Sequence, residues 1–182
     1  MRYILVTTPR TGSNYLFQLI LQKSHKVQVL KSHDIPKSNR QIITIARDPK
    51  ETILSNAAMM AHSGIWNNND FSGLINNYIK DCNALYKKAK IIIDYNDLIN
   101  HPEETVQALL KRMYVKYVDN EYVDRLDNNQ KVGYLVSSQT SIYYHMLEPL
   151  MDTLDLSEAY EIYNKMISKA MPLYEQTVII GT

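Results

Sequence analysis

Three short stretches in the first third of the chain carry residue types that grip anions and move protons. Thr8-Pro9-Arg10-Thr11-Gly12-Ser13-Asn14 combines a guanidinium, a glycine and hydroxyls just ahead of an apolar run. Gly12 lets the backbone come close to an oxyanion, a helix starting there offers unpaired N–H groups, and Arg10 adds a fixed charge with several donors. That combination suits a phosphate or a sulfate. The usual nucleoside triphosphate loop, G-x-x-x-x-G-K-[ST], is not reproduced, because Ser13-Asn14 follows Gly12 where a Lys and a hydroxyl belong.

Arg47-Asp48-Pro49-Lys50-Glu51-Thr52-Ile53-Leu54-Ser55 sets an Arg at the end of one apolar run and a hydroxyl two turns into the helix that follows, two donors for a second anion. Lys31-Ser32-His33 sets a cation beside an imidazole, a group that titrates near about pH 6.5 and so serves as a general base at neutral pH. Each stretch alone has a plainer reading, as a strand-to-helix turn, a surface Arg or a structural His. Together they define a chemistry only if the fold brings them to one place.

The elements that must do so are legible from patterning. Arg2 to Thr8 reads as a buried strand stopped by Pro9, and a helix through Gln22 follows, with Ser13 or Asn14 as N-cap and Leu16, Phe17, Leu19, Ile20 and Leu21 apolar. Val27 to Leu30 reads as a strand running into Lys31-Ser32-His33, and Gln41 to Ala46 as one running into Arg47-Asp48. Asp48 as N-cap, Pro49 at the first helical position and Glu51 three residues after the cap predict a helix to about His62. A polar loop around Trp66-Asn67-Asn68-Asn69 precedes a helix over roughly 71–89, a strand over Lys90–Asp94, and a helix opened by Pro102 that carries Val106, Leu109, Leu110 and Met113. Beyond about residue 117 the pattern weakens; Tyr134-Leu135-Val136 reads as a short strand and 157–174 as a helix. Strands alternating with helices imply right-handed crossovers and a mainly parallel sheet covered on both faces. In such a sheet ligands collect outside the carboxyl ends of the strands, where all three polar stretches fall.

Composition narrows the function classes. The chain has 182 residues, one domain at about 150 residues per domain, and its 45% hydrophobic and 21% charged content excludes a disordered, collagen-like or coiled-coil protein. No apolar run approaches the ~18 residues of a spanning helix, so neither a membrane anchor nor a secretory signal is expected. A single cysteine, Cys82, makes no internal disulfide and points to a reducing, cytoplasmic setting. His25, His101 and His145 lack ligand spacing, and Cys82 falls on an apolar helix face, so none is read as a metal ligand or nucleophile. The net charge of +1 hides an asymmetry: residues 1–91 carry 13 Lys/Arg against 5 Asp/Glu, and residues 92–182 carry 7 against 14. Either the halves interleave and cancel, or the first half holds an anion site.

Taken in order, these stretches resemble the sulfotransferases that use 3′-phosphoadenosine 5′-phosphosulfate (PAPS). Thr8 to Leu16 is similar to their 5′-phosphosulfate loop, departing at Asn14, where a hydroxyl residue is typical. Arg47 to Ser55 resembles the 3′-phosphate motif R-[DN]-P-x-[DE]-x-x-x-S and matches every specified position. Lys31-Ser32-His33 with Pro36 is similar to the K-[TS]-H-x-x-P segment, and Asp94 to Glu104 resembles the Y-[ED]-D-L-x-x-x-P-x-x segment, whose Tyr, here Tyr95, lies close to the adenine nucleotide. The similarity spans roughly residues 3–115; Lys131-Val132-Gly133 resembles the C-terminal nucleotide loop only faintly.

The resemblance implies a three-layer αβα, P-loop nucleotide-kinase-like fold with a helical C-terminal part, forming one domain over 1–182. It implies transfer of a sulfuryl group from PAPS to a hydroxyl of a small molecule, sugar or peptide, with no required metal, and with adenosine 3′,5′-bisphosphate as product. No nucleic acid or membrane enters as partner. Pro9, Arg10, Thr11, Gly12, Ser13 and Asn14 would cradle the 5′-phosphate, Arg47 and Ser55 the 3′-phosphate, and Tyr95 the nucleotide. His33 would be the base, with Asp34 and His62 next in line, assisted by Lys31 and Arg10. Trp66 and the Asn run would form a lid, and Met59 and Met60 would fill the core or line the acceptor pocket. The alternatives are a small ATP-dependent kinase, with Asp94 near magnesium, and a nucleotide-binding module without catalysis.

Overall fold

Every residue of Tyr3-Ile4-Leu5-Val6 is buried, as a strand covered on both faces must be, and these residues form β1 (Tyr3–Val6). A computed structural model describes residues 3–24, 27–37, 39–66, 70–119 and 141–173. After β1 come α1 (Ser13–Gln22), β2 (Val29–Ser32), β3 (Gln41–Ala46), α2 (Pro49–His62), α3 (Phe71–Lys88), β4 (Ala89–Asp94), α4 (Tyr95–Asn100), α5 (Pro102–Arg112), α6 (Ser141–Met151) and α7 (Ser157–Ser168). The strands form one sheet, all parallel, in the order β2-β1-β3-β4.

Alternation along the strands divides the core in two. Ile4, Val6, Ile42, Ala46 and Ile92 pack with α2, α3, α6 and α7. Leu5, Ile43, Ile45, Ile91 and Ile93 pack with α1, α5 and Leu98 of α4. Each such fully buried aliphatic side chain contributes about 1.5–3 kcal/mol. Helices therefore cover both faces, an arrangement compatible with three layers. Past α7 the backbone N–H of Met171 donates to the Ile92 carbonyl at 2.7 Å, which carries the chain over the β4 edge so that Met171 joins the second cluster.

The strand order creates the place where a ligand fits. From β1 the chain leaves through α1 to β2 on one side, and β3 lies on the other side of β1, with α2 and α3 on the opposite face. The loops after β1 and β3 thus diverge to opposite faces and open a crevice at their carboxyl ends.

Several expectations are corrected. The N-cap of α1 is Gly12, in the left-handed region at φ 81°, not Ser13 or Asn14; its lack of a side chain permits the turn. The second strand lies two residues later than read, and the last helix ends at Ser168 because the chain turns there to reach the β4 edge. Two helices were not anticipated. α4 is one and a half turns capped by Asp94, too short for periodicity to show; α6 contains Pro149 and exposes Ile142, Met146 and Leu150 opposite buried Leu147 and Met151, so no single apolar stripe marks it. The strand read at Tyr134–Val136 lies outside the described residues. Among the described residues, no helix is long and apolar enough to cross a membrane.

Candidate functional site

The loop after β1 is folded by its own side chains. The Thr11 hydroxyl donates to the Thr8 carbonyl at 2.9 Å, so Thr11, buried, staples the turn. Arg10 adopts φ 66°, uncommon for a residue with a Cβ, and its carbonyl accepts from Arg47 Nη1 at 2.5 Å. The loop ends at Gly12, where no side chain caps α1, leaving the first N–H groups of the helix to a ligand. Ser13 is buried, and Pro9 and Asn14 are exposed.

The second loop meets the first across the crevice. The Asp48 carboxylate accepts from the Glu51 N–H at 3.0 Å, fixing the start of α2, and the Arg47 carbonyl accepts from the Tyr78 hydroxyl at 2.9 Å. With its backbone so held, Arg47 extends a mostly buried guanidinium to the Arg10 carbonyl and, through Nη2, to Glu51 at 3.3 Å. Its guanidinium carbon lies 4.3 Å from the centroid of the Tyr95 ring, a cation–π distance. Arg10 donates through Nε to Ser55 Oγ at 3.1 Å. Arg10, Gly12, Arg47, Ser55 and Tyr95, read from separate motifs, are therefore one constellation. Ser55 bonds to Arg10 rather than to Arg47, which joins the two expected anion grips.

The electrostatics follow from that crowding. Burial pushes the Arg10 pKa down, the neighbouring Arg47 charge pushes it further, and Tyr95 opposes the trend. Lys31 is lowered by burial; its ammonium donates to Asn14 Oδ1, so the residue that departs from the hydroxyl pattern is the one that positions Lys31. Ser55 and Asn14 are neutral and leave the charges of Arg10 and Lys31 unbalanced, and an anion in the crevice would relieve the repulsion between Arg10 and Arg47. Elsewhere the two halves of the sequence do interleave: Lys50 pairs with Asp152 at 2.5 Å and Lys23 with Glu103 at 2.8 Å.

His33 is exposed, with Nδ1 3.0 Å from the Thr7 carbonyl. A carbonyl only accepts, so this contact puts the proton on Nδ1 and the basic lone pair of the neutral ring on Nε2. His62 stands at the other end of α2 against the Tyr143 ring, about 20 Å along the helix from Arg47, and is out of reach as a substitute base. Trp66 packs edge-on to Phe71 with ring centroids 5.2 Å apart, an inward position rather than that of a lid. Asn67–Asn69, His25 and Lys131-Val132-Gly133 lie outside the described residues. The Asp94 carboxylate caps α4 by accepting from the Asn96 N–H at 2.8 Å.

Some participants gave little warning in the sequence. Glu51, four residues after Arg47 and in the first turn of α2, had a spacing signal; Tyr144, which donates to Glu51 at 3.0 Å from a helix 93 positions away, had none. Burial and then the bond to Glu51 raise the Tyr144 pKa. Tyr160 likewise reaches Asp48, at 3.4 Å. Compared with known proteins, the chain matches no family model and no curated relative.

Proposed function

We propose that the protein is a sulfotransferase that moves a sulfuryl group from PAPS to a hydroxyl acceptor, on a three-layer, P-loop-like fold. The observation that carries this reading is the convergence of Arg10 and Arg47 with Ser55 at the switch between β1 and β3. Two guanidiniums held together at a cost in repulsion suit a ligand with two separate anionic groups better than one with a single group. The uncapped start of α1, the φ 81° glycine and the Tyr95 ring add a backbone cradle and a flat face, which fit the 5′-phosphate and the adenine nucleotide. The single buried Cys82 suits a reducing, cytoplasmic setting.

PAPS, when bound, supplies a sulfur whose bond to the bridging phosphate oxygen breaks as the acceptor oxygen bonds to it in line, leaving adenosine 3′,5′-bisphosphate. Arg10, having used Nε on Ser55, has its remaining N–H donors for the 5′-phosphate, where charge grows on the leaving oxygen; one well-placed donor of this kind is worth about 3 kcal/mol. Arg47 and Ser55 hold the 3′-phosphate, which requires Arg47 to exchange its contact with Glu51 for the ligand. Lys31, steadied by Asn14, neutralises the group in transfer. His33 takes the acceptor proton on Nε2.

Calorimetry tests the donor half. Adenosine 3′,5′-bisphosphate should bind more tightly than ADP, and Arg47→Ala should lower its affinity about tenfold to a hundredfold, the worth of one charged hydrogen bond, with little change toward ADP. Equal losses for both ligands would remove the 3′-phosphate role. Incubation with labelled PAPS and a mixed hydroxyl library should give acceptor-dependent transfer.

A further inference from the structure

A cleft of about 160 Å³ opens between the β1–α1 loop, α2 and α3, and its Asn56, Asn77 and Asp81 have no role in the crevice. We propose that this cleft is the acceptor site and that it takes a single-ring, hydroxylated primary amine whose ammonium pairs with Asp81. The inference rests on the sulfotransferase reading for its chemistry and deepens it by naming the acceptor class.

Size comes first. A cavity of about 150 Å³ accommodates one benzene ring, so a single six-membered ring matches this cleft. Ile53, Leu74 and Tyr78 supply an apolar wall for a ring face, and Asn56, Asn77 and Asp81 supply polar groups. Thr52 also lines the cleft; it is 3% exposed, and its Oγ1 is buried with no hydrogen-bond partner. A hydroxyl so placed costs about 1–3 kcal/mol unless something bonds to it.

The charge points to an amine. Asp81 is half-buried; burial raises its pKa, Lys80, exposed on the same helix, lowers it, and Asp34 raises it by less than Lys80 lowers it. A desolvated carboxylate on the cleft wall favours a positive guest over a neutral polyol, because a guest cation stabilises the charged form that burial disfavours. Asp34 also ties the cleft to the chemistry: it follows His33, whose ring rests on the Thr7 carbonyl, and Thr8 is part of the cleft wall.

The test is binding to the full chain without nucleotide, followed by protein-observed NMR. Two amine–neutral pairs serve as probes: tyramine against 4-ethylphenol, and glucosamine against glucose. Each pair differs chiefly in the ammonium, and the two pairs separate a phenolic from a sugar source. At least one amine should bind tenfold or more tightly than its neutral partner, with shifts at Asn56, Asn77 and Asp81. Asp81→Asn should abolish that preference. Equal binding within both pairs, a preference that survives Asp81→Asn, or no binding by any probe would overturn the proposal. Amine binding without transfer from labelled PAPS would count against the sulfotransferase reading and leave the cleft standing as an amine site only; transfer to neutral acceptors alone would keep that reading and overturn the amine.

Discussion

The guanidinium of Arg47 lies over the ring of Tyr95, and the same ring lies so close to Gly12 that a Cβ there would stand 3.0 Å from Tyr95 Cε2. One aromatic ring thus spans the loops after β1 and β3, and whatever disturbs the first loop is felt at the cation of the second.

Gly12→Ala should test this linkage. The residue occupies φ 81°, where a side chain costs about 1–2 kcal/mol, and Tyr95 must also give way. Urea unfolding should show a loss of about 1–2 kcal/mol, and affinity for adenosine 3′,5′-bisphosphate should fall. An unchanged midpoint together with unchanged affinity would mean the loop tolerates a different path.

Asp48 stabilises α2 through its side chain, which accepts from the Glu51 N–H and from Tyr160. Asp48→Ala should cost about 1 kcal/mol and lower Tm by about 2–4 °C for a chain of this size. Asp48→Asn, which still caps, should recover most of the loss in a thermal melt.

His33→Ala removes the proposed base and leaves Arg10, Arg47 and Ser55 in place. Nucleotide affinity should be retained while turnover with PAPS falls by about 10²–10⁴-fold. If turnover were unchanged, the base would have to be sought elsewhere, with Asp34 next in the sequence.

Cys82 lies on the buried face of α3, where burial pushes its thiol from 9.0 up to about 12, with the Tyr78 bond opposing and Asp81 adding to the rise. At pH 8 the folded protein should therefore resist iodoacetamide and the urea-unfolded protein should react readily. Because the folded pKa is the raised one, this group's contribution to stability is complete below about pH 9 and is lost as pH climbs toward 12. The drop in urea midpoint between pH 8 and pH 10 should be smaller in Cys82→Ala. Rapid labelling of the native protein would show that the thiol is reachable.

Residue patterning alone determined that this is an α/β protein, because burial on both faces of a parallel strand requires runs such as Ile91-Ile92-Ile93 and each crossover requires a helix. It also determined the start of α2, since Asp48, Pro49 and Glu51 act on backbone within one turn. Local preference did not decide the cap of α1, where Ser13 and Asn14 were plausible but the close approach of Tyr95 favours Gly12. Nor could it decide that β1 lies between β2 and β3, which is what makes the loops after β1 and β3 neighbours. The bond from Arg10 to Ser55 spans 45 positions and that from Tyr144 to Glu51 spans 93. Periodicity records only which side of an element is buried. Which side chains meet across the sheet is settled by strand order and helix packing, and these depend on the whole chain at once.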